Sequence, residues 1–129
     1  MYKTKKLISV VIPVFRSGPM LGDLYQRISG VLSSLSDQWG VILVDDASGD
    51  GTFDRMLELR KSDNRIKLVR FARNMGQHHA ILCGLKRASG EYILTMDDDL
   101  QNPPEEIPNF LKKMEEGYDL VIGQIIKNK

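Results

Sequence analysis

The chain has 129 residues, of which 42% are hydrophobic and 27% are charged, and its formal net charge is +1. This length suits one domain, and the composition is that of an ordinary globular protein, which excludes global disorder. A net charge so close to zero provides no general attraction for nucleic acid, so we expect no nucleic-acid partner.

The N-terminal region and the single cysteine bear on location. The basic residues 1–6 lead into an apolar segment that is too short for a secretory signal. No segment reaches the roughly 20 apolar residues that are needed to span a bilayer. Cys83 is the only cysteine and lies among apolar residues, which predicts a buried thiol and excludes an intrachain disulfide. These features predict a soluble, cytoplasmic chain.

Five short segments rich in apolar and β-branched residues predict strands. They lie at 8–14, 40–44, 66–71, 92–96 and 120–122. The first, second and fourth segments are almost continuously apolar, which predicts burial on both faces, as in a parallel sheet covered by helices.

Apolar residues recur at helical spacing between the predicted strands. The corresponding helices are predicted at 20–35, 52–61, 77–87 and 105–116. This alternation predicts an α/β fold, a three-layer α/β/α sandwich with a mainly parallel sheet, organised as a single domain over residues 1–129.

Polar and glycine-rich segments follow the first four predicted strands. They lie at 13–18, 45–52, 73–76 and 97–101. Ligands bind to open parallel sheets at the carboxyl ends of the strands. Because the strands are predicted to be parallel, we expect these four segments to meet at one edge of the sheet.

The fourth segment begins with three consecutive carboxylates, Asp97, Asp98 and Asp99. Adjacent like charges repel one another and resist desolvation, so a cation or solvent must offset them. Mg2+ and Mn2+ prefer such oxygen ligands, often together with nucleotide phosphates. A solvated acidic loop is the alternative, and it would be favoured for an isolated triplet. The other polar strand ends favour the metal site.

Two adjacent carboxylates, Asp45 and Asp46, follow the second predicted strand directly. Carboxylates at this point suggest recognition of the N–H or hydroxyl donors of a base or ribose. Residues 48–52 fit a ligand-binding loop and an ordinary turn with a helix cap equally well, since Asp, Ser and Gly are common in both.

The third polar segment contains a cation and precedes two histidines. Arg73 is suited to a phosphate because its guanidinium is planar, although Arg73 and Asn74 could instead cap the following helix. His78 and His79 are adjacent and are too close in sequence to share a metal from one helix face. We expect both histidines to be structural or surface residues, with His78 the better candidate for lining a pocket.

Four stretches of the chain resemble a known family. They read VVIPVF, ILVDDASGDGT, RNMGQHHAILCGLKRASGEYILTMDDDLQNPPEEIP and GYDLVIG. Together they are similar to the inverting family 2 glycosyltransferases of GT-A fold. The likeness is to the branch that transfers sugars to polyprenyl phosphates, which includes dolichyl-phosphate mannose synthases, bactoprenol glucosyltransferases and undecaprenyl-phosphate aminoarabinose transferases.

The resemblance implies a role for each matching residue. The acidic run becomes the family's D-x-D motif, with Asp98 in its variable middle. Asp97 and Asp99 are then candidate catalytic residues, together with Arg73, whose guanidinium suits a phosphate. The base would lie between Pro13, Phe15 and Val44, and the base or ribose would meet Asp46, with Asp45 beside it. The metal would be held by Asp99 and Gln101, while Asp97 would hold the ribose or support the metal.

The same resemblance implies a reaction and its partners. The cofactor would be Mg2+ or Mn2+, the donor a UDP- or GDP-sugar, and the acceptor a polyprenyl phosphate at a membrane surface. The chain would then act peripherally at the inner face of the cell membrane. A lipid phosphate is already ionised, so transfer with inversion needs no general base and depends on positioning and electrostatics.

Two departures from the family's pattern limit this implication. Relatives commonly have Tyr-Asn-Glu where this chain has Phe15, Arg16 and Ser17. Relatives also continue into an acceptor-binding half, so we expect a truncated, donor-binding part of a catalytic domain. The alternative is a non-catalytic nucleotide-sugar-binding or partner module, in which an open strand edge at 120–122 would favour a homodimer. A phosphate-accepting receiver-like domain fits the motifs less well.

Overall fold

Four parallel strands alternate with helices in the computed structural model, which describes residues 3–100 and 103–118. The strands are β1 (Ile8–Val14), β2 (Trp39–Asp45), β3 (Ile66–Arg70) and β4 (Tyr92–Thr95). The helices are α1 (Gly18–Leu35), α2 (Thr52–Ser62), α3 (Gln77–Arg87) and α4 (Ile107–Glu115), the last preceded by a 3-10 turn at Pro104–Glu106. The strand order is β3-β2-β1-β4. The strand predicted at 120–122 lies outside the described residues.

The two central strands form the core because their side chains are apolar on both faces. Every residue of β1 is buried, as is every residue of β2 except the partly buried Gly40. On one face, alternate residues of the strands pack against α1, α2 and α4, and on the other, Val11, Ile42 and Val44 pack against Ala80 of α3. Helices therefore cover both faces, which confirms the predicted α/β/α sandwich.

The prediction that the fourth strand is buried on both faces is wrong. Tyr92 is 6% exposed and faces the larger core, whereas Ile93 is 41% exposed. The reason is that β4 lies at the end of the described sheet, and α3 packs over β1 and β2. The helix predicted at 105–116 is also divided. Pro104 is the first residue of the 3-10 turn and Pro108 the second residue of α4, positions where a missing backbone N–H is tolerated.

Hydrogen bonds to one carboxylate join the middle of α1 to the turn before β3. Asp63 accepts from the Tyr25 hydroxyl and from the backbone N–H of Arg65 at 3.0 Å. The Arg65 guanidinium donates to both oxygens, each at 2.9 Å, and lies 3.8 Å from the centre of the Trp39 ring. The Arg65 guanidinium, together with these hydrogen bonds, holds the pKa of Asp63 well below its ordinary value of 3.8.

We expect Asp63→Asn to lower the free energy of unfolding by about 1–3 kcal/mol at neutral pH, because charge-assisted hydrogen bonds are lost. A lowered pKa in the folded state stabilises the protein above the unfolded-state pKa and loses this effect as pH falls through the folded-state value. The difference between the two proteins should therefore be constant near pH 7 and shrink below about pH 4. Urea denaturation over a pH series measures it. An undiminished difference in strong acid would contradict this account.

Candidate nucleotide-binding cleft

A cleft of about 490 Å³ opens at the carboxyl edge of the sheet. The loops after β1, β2 and β4 and the start of α3 surround it, as expected for parallel strands whose carboxyl ends share an edge. It is lined by Pro13, Val14, Phe15, Asp46, Asn74, Gly76, Gln77, Asp97, Asp98 and Asp99. The structure thus brings together residues from all four polar segments.

Asp46 lies in the cleft but already accepts several hydrogen bonds from the protein. It is 5% exposed. Its Oδ1 accepts from the backbone N–H of Met75 at 2.6 Å, and its Oδ2 from that of Gly76 at 2.9 Å. The Asn74 amide donates to Asp46 Oδ2 and to its backbone carbonyl, both at 3.1 Å. Asp46 therefore ties the end of β2 to the loop before α3.

These contacts also orient the beginning of α3. Gly76 precedes the helix with φ 95°, in the region that favours glycine. Glycine has no side chain that can cap the helix. The carboxylate of Asp46 instead supplies an acceptor and a negative charge at the positive end of the helix dipole. Gln77, the first residue of α3, then lies in the cleft.

Asp45 does not line the cleft, because successive residues of a strand point to opposite faces. It is completely buried on the side of α1 and α2. Its Oδ1 accepts from the Ser48 backbone N–H at 3.2 Å and from the Ser48 hydroxyl at 2.5 Å. Its Oδ2 has no hydrogen-bond partner among the described residues. Asp45 was predicted to bind the base or ribose beside Asp46, but it is buried and does not line the cleft that Asp46 lines.

Residues 48–52 form a turn and a helix start. Asp50 Oδ1 accepts from the backbone N–H of Thr52 at 3.2 Å and from its hydroxyl at 2.5 Å. Gly51 has φ 90°, which favours glycine at this position. Of the two interpretations left open by the sequence, the local turn with a helix start accounts for these contacts.

The three carboxylates after β4 have different surroundings. Asp97 Oδ1 accepts from the Gln77 side-chain amide at 3.0 Å. Asp98 Oδ2 accepts from the Phe15 backbone N–H at 3.0 Å and from the Ser17 hydroxyl at 2.6 Å. Asp99 is the exposed member of the three and lines the cleft. The triplet is therefore built into the site by contacts with α3 and with the loop after β1.

The carboxylates of the cleft suit a divalent cation only when a bound ligand supplies further oxygens. Within residues 3–100 and 103–118, no three His, Cys, Asp or Glu side chains are grouped to hold a metal. However, Mg2+ at nucleotide sites binds through one or two carboxylates together with phosphate oxygens. Asp97 and Asp99 line the same cleft and supply such oxygens. Gln101, the other predicted ligand, lies outside the described residues.

Two other predicted site residues lie away from the cleft. Val44 is buried in the smaller core beneath it. Arg73 lines a separate groove of about 560 Å³ between the end of β3 and the outer side of α3, as does His79. Of the two cavities described, His79 lines this groove and His78 lines neither. Cys83, predicted to be buried, is partly exposed in the same groove.

Sequence reasoning did not assign a role to Gln77 or Ser17, or a structural role to Asp98. Their contacts join residues that are far apart in sequence, with separations of 20 for Gln77 and Asp97 and 81 for Ser17 and Asp98. The available signal was Ser17 itself, a short hydroxyl side chain at a position where the family resemblance implies a carboxylate. A hydroxyl is able to donate to a neighbouring carboxylate, whereas an ionised carboxylate is not.

A polar cleft at the carboxyl edge of a parallel α/β sheet is the kind of site that binds nucleotides. The family model of glycosyl transferase family 2 matches residues 9–129, so the chain belongs to this family. The undecaprenyl-phosphate 4-deoxy-4-formamido-L-arabinose transferase of Salmonella choleraesuis is 42% identical over 125 residues, which cover 96% of this chain. The match covers 38% of that protein, so the chain spans well under half of its length.

Solved structures show the same fold. A mannosyltransferase from Pyrobaculum calidifontis in complex with GDP-Man and Mn2+ matches with a TM-score of 0.74 and 24% identity, over 84% of this chain and 32% of that one. A glucosyl-3-phosphoglycerate synthase from Mycobacterium tuberculosis, in complex with Mn2+, UDP and glucosyl-3-phosphoglycerate, matches with a TM-score of 0.66 and 24% identity, over 84% of this chain and 39% of that one. These likenesses confirm the predicted GT-A fold. Among the described residues, no helix is long and apolar enough to cross a membrane.

Proposed function

We propose that this chain carries the donor-binding part of a metal-dependent glycosyltransferase that transfers a sugar from a UDP- or GDP-sugar to a polyprenyl phosphate with inversion. The observation that carries the proposal is the cleft, where apolar walls meet four carboxylates, one after β2 and three after β4. The family supports the reaction class, and the similarity to an undecaprenyl-phosphate sugar transferase supports the acceptor class.

The two sides of the cleft suit the two parts of a nucleoside diphosphate. Pro13 and the 43% exposed ring of Phe15 offer apolar surface for a base. Asp97 and Asp99 lie at the end of β4 and offer oxygens for a cation beside the diphosphate. In this proposal the base lies near β1 and the diphosphate near residues 97–99.

In this proposal, Asp99 and Asp97 hold Mg2+ or Mn2+ together with the donor's phosphates. When bound, the cation would stabilise the negative charge that grows on the departing nucleoside diphosphate. The protein's own residues orient the donor, and an ionised lipid phosphate would attack the sugar's anomeric carbon without a general base. The acceptor reaches the donor at a membrane surface, where the chain would act peripherally.

Calorimetric titration of the chain with UDP and with GDP, each with and without Mn2+, tests donor binding. We expect binding that requires Mn2+ and that weakens roughly thirtyfold in Asp99→Ala, since a charged contact contributes about 2 kcal/mol. Asp37→Ala is the matched control, because Asp37 is an exposed carboxylate just before the amino end of β2. Equal affinity in Asp99→Ala, or binding that does not need the metal, would contradict the assignment of Asp99.

Transfer itself needs a separate assay. The chain is incubated with a radiolabelled donor, Mn2+ and undecaprenyl phosphate, and transfer moves the label into the organic phase. Product from this chain would eliminate the alternative, a nucleotide-sugar-binding module, and its anomeric configuration reports inversion.

A further inference from the structure

Asp98 connects the acidic turn, residues 97–99 after β4, to the loop after β1. Its Oδ2 accepts from the backbone N–H of Phe15 at 3.0 Å and from the Ser17 hydroxyl at 2.6 Å. Ser17 is only 4% exposed, so the contact made by its hydroxyl is largely shielded from water. One carboxylate oxygen therefore fixes the residues on both sides of Arg16.

The loop needs such contacts because its backbone is unfavourable. Arg16 has φ 55°, in the left-handed region that residues with a Cβ rarely adopt. Its backbone N–H donates to the Ser48 hydroxyl oxygen at 2.8 Å, and that hydroxyl donates to the buried Asp45 at 2.5 Å. The loop is thus held from two strand ends, by Ser48 after β2 and by Asp98 after β4.

The side chain that this loop presents to the cleft is Phe15. Its ring is 43% exposed and lies in the cleft together with Asp98. The Arg16 guanidinium lies 5.0 Å from the centre of the ring. Because the Phe15 backbone N–H is bonded to Asp98, the position of this apolar surface depends on the acidic turn.

We infer that Asp98 is a positioning residue that holds Phe15 in place as a wall for the donor's base, an inference that rests on the proposed function. Asp98 then has no direct part in holding the cation, which falls to its two neighbours. The acidic turn acts at both ends of the cleft: Asp97 and Asp99 face the diphosphate, and Asp98 sets the surface for the base.

A comparison of two ligands separates this role from metal binding. In Asp98→Ala we expect the affinity for the nucleoside diphosphate with Mn2+ to fall about tenfold, from loss of the bonds that hold the loop. The affinity for inorganic pyrophosphate with Mn2+ should not change, because pyrophosphate has no base. Asp98→Asn keeps an acceptor oxygen and should retain most of the affinity. An equal loss for both ligands would overturn the inference while leaving the proposed function standing.

A double-mutant cycle and a measurement without ligand complete the test. If Asp98 acts through Phe15, Asp98→Ala should have no further effect on nucleoside diphosphate affinity in a Phe15→Ala background. Additive losses would overturn the inference. In the free chain, hydrogen exchange of the Phe15 amide should accelerate in Asp98→Ala, while the amides of Met75 and Gly76, which are bonded to Asp46, should not change. Unchanged exchange at Phe15 would likewise overturn it, whether or not the chain binds a nucleotide.

Discussion

Asp46→Ala is expected to lower the free energy of unfolding by about 3 kcal/mol, because hydrogen bonds to a charged group contribute about 1.5–3 kcal/mol and buried donors left without an acceptor add to the loss. The substitution leaves the backbone N–H groups of Met75 and Gly76 and the amide of Asn74 without their acceptor. The site is 5% exposed, so water replaces the lost acceptor poorly. Urea denaturation of the chain without ligand measures the effect.

Asp46→Asn is the informative companion variant. It keeps one acceptor oxygen, but its amide nitrogen then faces a backbone N–H, so the expected loss is about half of that in Asp46→Ala. Asp37 is an exposed carboxylate at the opposite edge of the sheet. Asp37→Ala should therefore change the free energy of unfolding by no more than about 0.5 kcal/mol. If Asp46→Ala were as stable as the parent chain but failed to bind UDP or GDP, Asp46 would be a ligand-binding carboxylate and not a structural one.

The sheet could be predicted from the sequence because its signal is local. β1 and β2 are continuous apolar runs, and their observed bounds differ from the predicted ones by at most one residue. Burial of β4 could not be predicted in the same way. An apolar side chain such as Ile93 does not reveal whether a helix covers it, since that depends on where β4 lies in the sheet.

The cleft lies at the edge where the sequence predicts a site, but the surroundings of its individual residues could not be predicted. Successive residues at the end of β2 point to opposite sides, so Asp46 lines the cleft and Asp45 does not. Two adjacent aspartates in a sequence do not show which of them ends the strand. The contacts of Asp98 with Phe15 and Ser17 depend on how two loops approach each other, which a pattern within either loop does not contain. Arg73 follows β3, but its side chain lies against the outer groove.

Gly84 sets the distance between α3 and the sheet. A Cβ built at this position would lie 2.2 Å from Cγ1 of Val11 and 3.3 Å from its Cβ and Cγ2. Val11 is completely buried and belongs to the cluster with Ile42 and Val44, so it has little room to move. The close approach brings the helix against β1, and the N-terminus of that helix carries Gln77 into the cleft.

Gly84→Val should therefore lower the free energy of unfolding by more than about 3 kcal/mol, because overpacking costs 1–3 kcal/mol even for smaller insertions. Gly84→Ala should cost less, about 1–2 kcal/mol, since the helix propensity of alanine offsets about 1 kcal/mol of the strain. Gly30→Ala in α1 is the matched control, because no atom lies within 4 Å of its added Cβ. It should stabilise the chain by up to about 1 kcal/mol.

Removing the opposing methyl groups tests whether the contact with Val11 is the cause. In the Val11→Ala background the 2.2 Å contact is removed and only the Cβ of residue 11, at 3.3 Å, stays close. Gly84→Ala should then become neutral or stabilising, and a double-mutant cycle should show strong coupling between the two positions. If Gly84→Ala instead changed the free energy of unfolding of the parent chain as Gly30→Ala does, α3 would have to be free to move away from β1. A shift of α3 would also displace Gln77 and the loop bonded to Asp46, so nucleotide binding should weaken in the same variants that lose stability.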